Sequence, residues 1–356
     1  MSATTVGSGA DVAIVGAGPA GCAAAVELAQ AGCRVLLLER SAFPRHKVCG
    51  EFLSPEVAGI LEELGVGAVL AGAAPIESGR VVTPSRCSLE FAFLAPAYGL
   101  SRYTLDAALS RRAADAGATL VERTEIASIE HDARGSLLTS RDRRRFAARV
   151  VLFACGRNSL LGLRRGAGGR FFGVKAHYRG AWPARLDLVF FPGGYLGVAP
   201  IEDGKINVCA LMEKRLLKEA GPIFEKMLGP GIQRDGRFFF TGPLRPGWQA
   251  EAGDRWAAGD AAIFLDPFTG DGIALALQSG RLAARHLLAG LKDGSLQPEA
   301  SAYGRDLQRL CVRQLAVGRL LRLGLKLPVL EMPLARLLAS KPSLRHALFR
   351  ATRSVL

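Results

Sequence analysis

No uncharged apolar run in this sequence reaches the ~18 residues that a membrane-spanning helix needs. Cysteine is sparse: the seven, at 22, 33, 49, 87, 155, 209 and 311, are odd in number and scattered. They lack the spacing of metal ligands or of a disulfide framework, and read as free thiols in a reducing cytoplasm. No His, Cys or carboxylate cluster points to a metal. No basic segment leads into an early apolar run, so no secretory leader is expected. Internal repeats and low-complexity tracts are missing, and only the small, polar first ten residues suggest disorder. Acidic residues are short in supply, 32 against 46 Lys and Arg, for a net charge of +14. From Ser301 to Leu356 there are eleven basic residues and two acidic ones, so most of the surplus sits there. Such a charge fits nucleic acid, an anionic membrane surface or an acidic substrate. Nucleic acid is the weakest of these, since no recognition motif accompanies the charge and the tail has few aromatics for stacking.

What remains is a globular composition. The chain has 356 residues, 49% hydrophobic and 22% charged, enough for one large domain or two intimate ones. Residues 11–15, DVAIV, predict a strand. A helix follows from about Pro19 to Ala31, rich in Ala and Leu and closed by Gly32. Residues 33–39 predict a second strand. This βαβ unit implies a parallel sheet. Residues 80–94 alternate loosely, 101–117 predict a helix opened by Ser101, and strands are expected at 119–123, 126–130, 136–139 and 146–154. The stretch 169–212 is strand-rich and broken by turn glycines, which suggests a separate antiparallel sheet. WAAGD (256–260) reads as a strand leading through a Gly-rich turn into a helix, 273–288. The remainder reads as helical, punctuated by Pro328, Pro333 and Pro342.

The first strand stops at Gly16-Ala-Gly18-Pro19-Ala20-Gly21. This spacing matches the dinucleotide fingerprint: one glycine for the tight turn, one to let main chain reach a pyrophosphate, one for close helix–strand packing. The helix N-terminus offers its unpaired N–H groups to the phosphates. Glu39, eighteen residues after Gly21, ends the second strand where a ribose-binding acid belongs. A second Gly-rich cluster, 258–273, includes Gly259, Asp260, Pro267, Gly270, Gly272 and Ile273 and opens another helix. A nicotinamide enzyme has little need of it. A flavin does: its ribityl hydroxyls need a carboxylate such as Asp260, and its N1–C2=O edge, negative when reduced, needs N–H groups.

With these stretches in view, the sequence resembles the FAD-dependent oxidoreductases of the p-hydroxybenzoate hydroxylase type, and more closely their geranylgeranyl reductase branch. The resemblance spans roughly residues 9–290, through VAIVGAGPAG with Glu39, KVCGEFLSPE (47–56), SRYTLDAAL (101–109), VVLFACGRNS (150–159), PGGYLGVAPIEDGKINV (192–208) and WAAGDAAIFLDPFTGDGI (256–273). It implies FAD in an extended pose. Gly16, Gly18, Pro19, Ala20 and Gly21 would face the pyrophosphate, Glu39 and Arg40 the adenosine, Arg102 the pyrophosphate and Asp260 the ribityl chain. Gly270, Gly272 and Ile273 would approach the isoalloxazine, as would Lys47, Cys49 and Gly50. Two departures stand out. Cys155 occupies a place where the family often has Asp, and Leu196 and Gly197 lie where reductases of the branch often carry Trp.

Cys49 reads as a catalytic proton donor near flavin N5, or as a small filler where backbone comes close. Arg45, His46 and Lys47 form a basic patch that meets phosphate or solvent. Tyr195 and Asn207 are candidate substrate contacts on the second sheet, or ordinary core positions. Cys155, Cys209 and Cys311 read as packing. Arg305, Arg309 and Arg313, followed by Arg322 and Lys326, repeat at helical spacing among leucines. They form either a helix lying on an anionic membrane or a cap with a solvated basic face.

The expected fold is α/β: a discontinuous parallel-sheet, Rossmann-like FAD-binding domain (1–75, 100–165 and 245–295), an antiparallel-sheet substrate domain (76–99 and 166–244) and a helical C-terminal cap (296–356). The expected function is a cytoplasmic FAD-dependent reductase or dehydrogenase acting on a lipophilic prenyl-like or polyketide-like molecule, with NAD(P)H as electron donor. The alternatives are an aromatic monooxygenase using NAD(P)H and O2, and a flavin electron carrier without a small substrate. A halogenase is a further alternative, without the tryptophan-rich motif expected of one.

Overall fold

The computed structural model describes residues 9–133, 135–157, 169–249, 256–324, 337 and 340–353. The small, polar residues 1–8, Asn158 and Ser159 of the VVLFACGRNS stretch, Lys326, Pro328 and Pro333 lie outside them, as does the side chain of Arg322.

The first strand, β1 (Ala10–Val15), is buried along Val12–Val15 because both of its faces are covered. It pairs in parallel with β2 (Val35–Leu38) on one side and with β9 (Arg145–Phe153) on the other. Outside β2 lies β6 (Thr119–Val121), also parallel. Outside β9 an antiparallel meander, β8 (Gly135–Ser140) and β7 (Ile126–Asp132), completes a six-stranded sheet. Helix α1 (Pro19–Gln30) forms the expected βαβ crossover. Helix α2 spans Pro55–Glu63, and helix α3 (Arg102–Asp115) begins where Ser101 accepts the Thr104 N–H at 3.1 Å.

The second sheet has eight strands in the order β14-β10-β13-β12-β11-β4-β5-β3. They are β3 (Phe52–Leu53), β4 (Ala74–Val82), β5 (Ser88–Gly99), β10 (Phe171–Arg179), β11 (Arg185–Phe191), β12 (Gly194–Ile201), β13 (Lys205–Glu213) and β14 (Gln233–Leu244). The sheet is antiparallel except for the β4–β11 pair, which is parallel. Helix α4 (Ala220–Leu228) buries Phe224 against a core that includes Tyr178, Val208 and Met212.

Residues 256–260 depart from the expected strand. Only Ala257 makes a β-bridge, to Phe153, and Gly259–Ala261 turns as a 3-10 helix. The positive φ of Gly259 (+60°) turns the chain before a strand can extend. Helix α5 (Gly272–Asp293) then packs along α1, where a Cβ on Gly280 would stand 2.1 Å from the Ala20 carbonyl oxygen. Gly280 therefore sets how closely the two helices approach. Helices α6 (Leu296–Gly324) and α7 (Pro342–Ala351) follow. No helix among the described residues is long and apolar enough to cross a membrane.

Candidate active site

The Gly-rich turn after β1 divides its labour in a way the spacing alone does not reveal. Gly16 sits at φ +108°, and a Cβ there would lie 2.5 Å from the Ala154 carbonyl oxygen. A Cβ on Gly21 would lie 1.9 Å from the Gly16 oxygen. Both are closed by packing. Gly18 is different: its backbone is extended (φ −80°, ψ −175°) and a Cβ would meet only Arg102 Nη2, at 3.8 Å. The space beside Gly18 belongs to a cleft. Gly18 caps α1 without any side-chain hydrogen bond, and Pro19 follows at the first helical position. The first N–H groups of α1 therefore face the cleft without a protein cap.

Two adjoining clefts meet here. The first is lined by Gly16, Glu39, Arg40, Arg45, Cys155 and Phe239 among others. The second is lined by Pro19, Ala20, Cys49, Gly50, Arg102, Gly259, Asp260, Pro267, Gly270, Gly272 and Ile273. Gly18, Lys47, Val48, Ala154, Arg157 and Thr241 line both, so the two form one extended groove. Glu39 is buried, accepts the Ala17 and Ser41 N–H groups at 3.0 and 3.1 Å, and holds Arg45 at 3.4 Å. The acid thus fixes the phosphate turn while standing in the wall where a ribose belongs. At the other end Asp271 leads into α5, again without a side-chain cap. A ligand whose ribose meets Glu39 and whose diphosphate meets α1 extends its other end toward α5. That is the shape of FAD.

Most of the expected cofactor residues line this groove. Gly21 does not: it stands behind the wall, where α1 packs on the turn. Tyr195 lines the second cleft beside Phe190 and Phe268, with ring centroids 5.3 and 5.9 Å away. Asn207 lies outside both cleft walls and acts from behind, donating from Nδ2 to the Cys49 carbonyl at 3.1 Å. Asp260 holds Arg157 at 3.3 Å, and that guanidinium lies over the Phe264 ring at 4.4 Å.

Sequence reading missed the cluster beneath the Cys49 loop. Glu51 stands more than a hundred residues before Lys175 and His177, which share strand β10, and all three are buried. Glu51 accepts the Arg102 N–H on Oε1 at 2.7 Å, pairs there with Lys175 Nζ, and meets His177 Nε2 through Oε2 at 2.7 Å. Lys175 also donates to the Lys47 carbonyl at 3.3 Å. Burial alone would raise the Glu51 pKa, but the Lys175 ammonium and His177 override it and hold the carboxyl below its usual range. Glu51 adopts φ +53°, a conformation that costs a non-glycine residue roughly 1–3 kcal/mol and persists only where surroundings over-determine it. The strands β10 and β13 therefore clamp the Lys47–Glu51 loop at two carbonyls and one carboxylate. No local motif announces this; the signal was the odd acid in KVCGE, which makes sense only with a buried cation.

Arg102 is buried, its guanidinium pairs with Asp106 at 2.6 Å, and Cys49 lies beside it. The Cys49 sulfur accepts the Glu51 N–H at 3.4 Å. Cys209 lines the same cleft, but burial pushes its thiol up to about 12, which makes it inert packing. Cys311 is likewise pushed up to about 12 by burial. Among the described residues no group of three or more His, Cys, Asp or Glu is placed to hold a metal.

Lys47 gives a pH-dependent expectation. Burial, then the Arg102 guanidinium, pulls its ammonium from 10.5 down to about 8. An anionic diphosphate bound beside it raises that value again, so binding favours the protonated form. FAD affinity is expected to be level well below pH 8 and to fall as pH rises through about 8. Calorimetry in buffers of different ionisation enthalpy should show proton uptake on FAD binding over that range, and Lys47→Met should abolish it.

A family model described as "FAD binding domain" matches residues 9–177. The chain is 30% identical over 341 residues to a menaquinone reductase of Mycobacterium tuberculosis, covering 85% of this chain and 82% of that one. This chain belongs to the FAD-dependent oxidoreductases. The oxidoreductase is also 31% identical over 314 residues to digeranylgeranylglycerophospholipid reductase 1 of Methanopyrus kandleri, covering 77% and 79% of the two chains. Its fold matches a geranylgeranyl bacteriochlorophyll reductase-like protein from Thermoplasma acidophilum with a TM-score of 0.80 at 22% identity, covering 96% and 95%. It also matches the flavin-dependent brominase Bmp2 with a TM-score of 0.78 at 21% identity, covering 97% and 93%. The groove of this oxidoreductase fits FAD on its own terms: an open Cβ position at Gly18, an acid at the ribose end and two uncapped helix N-termini.

Proposed function

We propose that the oxidoreductase reduces a lipophilic small molecule of prenyl or polyketide type, with NAD(P)H as electron donor. One observation carries this reading: much of the second cleft is lined by apolar side chains. Leu186, Leu188, Tyr195, Leu211 and Leu244 of the eight-stranded sheet line it together with Phe264, Leu265 and Phe268. Such a wall recognises greasy surface and excludes water. The names of the relatives, reductases of menaquinone and of a prenylated lipid, agree with that chemistry.

Bound FAD would supply the hydride through N5. The chain's own residues do the rest. The apolar strands orient the acceptor and keep water away. Cys49 and Arg102 line the same cleft, so the Cys49 thiol is the proton donor that stands within it. Asn207 and Lys175 hold the Cys49 and Lys47 carbonyls, which fixes where that sulfur sits.

The test is a single turnover. Anaerobically reduced holoprotein is mixed with a short-tailed menaquinone or a geranylgeranyl compound, and flavin absorbance is followed. Oxidation of one flavin per acceptor without O2 is expected, slowed at least ~10-fold in Cys49→Ala. Oxidation that requires O2 and leaves a hydroxylated product would instead mark a monooxygenase.

We also propose that the protein meets its greasy substrate at an anionic membrane surface. The outward side of α6 carries Arg305, Arg309, Arg313 and Arg319 around Val312 and Leu320, which are 61% and 67% exposed. Arginines flanking an exposed apolar strip suit a bilayer interface. Co-sedimentation with phosphatidylglycerol vesicles, but not with phosphatidylcholine alone, is expected, and Arg309→Glu with Arg313→Glu should remove it. Equal binding to both vesicle types, or none, rejects the surface.

A further inference from the structure

The chain returns to the cofactor groove at its C-terminal end. After α7, Thr352 and Arg353 are buried, whereas Ser343, Leu344, Ala347 and Arg350 of that helix are exposed. Gln314 of α6 donates from Nε2 to the Arg353 carbonyl at 2.7 Å, and the Arg353 N–H reaches the Arg350 carbonyl at 3.1 Å. The guanidinium then takes hold of the Gly-rich turn that precedes α5. Nη2 donates to the Thr269 carbonyl at 2.7 Å, and Nη1 to the Gly270 carbonyl at 3.4 Å. Nη1 also stands 3.8 Å from Oδ1 of Asp271, a fully buried carboxylate. Gly270 itself is left-handed at φ +68°, so the direction of the turn is decided where Arg353 holds it.

Two physical consequences follow. A trans peptide points its C=O and N–H in opposite directions. Anchoring the Gly270 carbonyl on Arg353 therefore directs the Asp271 N–H away from the arginine. The Gly272 and Ile273 segment that lines the cleft continues from that fixed peptide. The second consequence is electrostatic. One full positive and one full negative charge are buried within a few residues of the cleft wall, where screening by water is weak. The groove runs from the ribose acid Glu39 to this turn, which places the flavin end of FAD here. A flavin gains negative charge when it is reduced, so the cation favours the reduced form and the carboxylate opposes it.

We propose that Arg353 is a positioning residue for the cofactor, and that the Arg353–Asp271 pair sets the redox midpoint of the bound flavin. The inference concerns FAD alone and holds for a reductase, a monooxygenase or an electron carrier.

The experiment uses the full-length holoprotein and the variants Arg353→Gln, Arg353→Lys and Asp271→Asn. Midpoints are measured by dye equilibration, FAD dissociation constants by fluorescence and apoprotein stability by thermal melting. Arg353→Gln is expected to move the midpoint to more negative values and to weaken binding of reduced FAD at least ~3-fold more than binding of oxidised FAD. Arg353→Lys keeps the charge and most of the midpoint. Asp271→Asn shifts the midpoint the opposite way. If Arg353→Gln fails to fold, the direction of the Asp271→Asn shift still decides. Midpoints that stay put, or that move the same way in both variants while FAD remains bound, overturn the inference and leave Arg353 a purely structural tie. A wild-type chain that binds no FAD overturns the cofactor assignment itself, a separate result from an unmoved midpoint.

Discussion

Gly18→Ala is expected to yield a folded but colourless protein. Its backbone angles, φ −80° and ψ −175°, suit any residue, and the nearest atom to an added Cβ is Arg102 Nη2 at 3.8 Å. Nothing in the apoprotein resists the methyl group. The ligand does, because Gly18 lies in the wall of both clefts at the uncapped start of α1. A methyl there holds the pyrophosphate off the helix N–H groups. FAD affinity should fall ~100-fold or more, equivalent to roughly 2.7 kcal/mol, while the melting temperature of the apoprotein moves by no more than ~2 °C. The neighbouring glycines behave in the opposite manner. Gly21→Ala forces a Cβ to within 1.9 Å of the Gly16 oxygen, and Gly280→Ala to within 2.1 Å of the Ala20 oxygen. Both should destabilise the chain by several kcal/mol whether or not FAD is present. Apoprotein melting and FAD titration on the same three variants separate the ligand-facing glycine from the packing glycines.

The largest stability effect is expected at Glu51. Glu51→Ala leaves the Lys175 ammonium buried without its counter-ion and the Arg102 N–H without its acceptor. Breaking one side of a buried pair in this way costs ~3–5 kcal/mol, measurable by denaturant unfolding. Adding Lys175→Met removes the stranded charge and should recover a substantial part of the loss. If the double variant is no more stable than Glu51→Ala, the pair is not what holds the loop. The pH dependence has a defined sign. The Glu51 carboxyl is held below its ordinary 4.5, so its contribution is complete above that value. The contribution is lost as pH falls through the lower, folded-state value. The wild type should therefore lose more stability on acidification below pH 4.5 than a Glu51→Gln variant does.

Much of the frame was legible because it is written in local pattern. Val12–Val15, the three glycines and Glu39 lie within one βαβ unit, and their spacing prescribes both structure and ligand. Ser101 announced α3 for the same reason. Residues 256–260 misled because their composition is strand-like while Gly259 turns the chain. The parallel β4–β11 pair was illegible, since it joins segments about a hundred residues apart. The same distance hid the functional supports. Lys175 and His177 read as an ordinary alternating strand until Glu51 is brought beneath them. Asn207 reads as either a substrate contact or a core position, and only the fold shows it buried and holding the Cys49 carbonyl. Arg353 was lost within a run of basic residues; only the fold separates a buried arginine on the cofactor turn from solvated ones.

The central claim is that one FAD spans the groove, from Glu39 at one helix N-terminus to Gly272 and Ile273 at the other. Titration of the apoprotein with FAD, followed by absorbance and calorimetry together, tests it most directly. The account predicts saturation at one FAD per chain, with structured visible bands from the apolar end of the groove and competition by ADP, which fills only the Glu39 end. A chain that stays colourless contradicts it. So does FAD binding that ADP cannot displace.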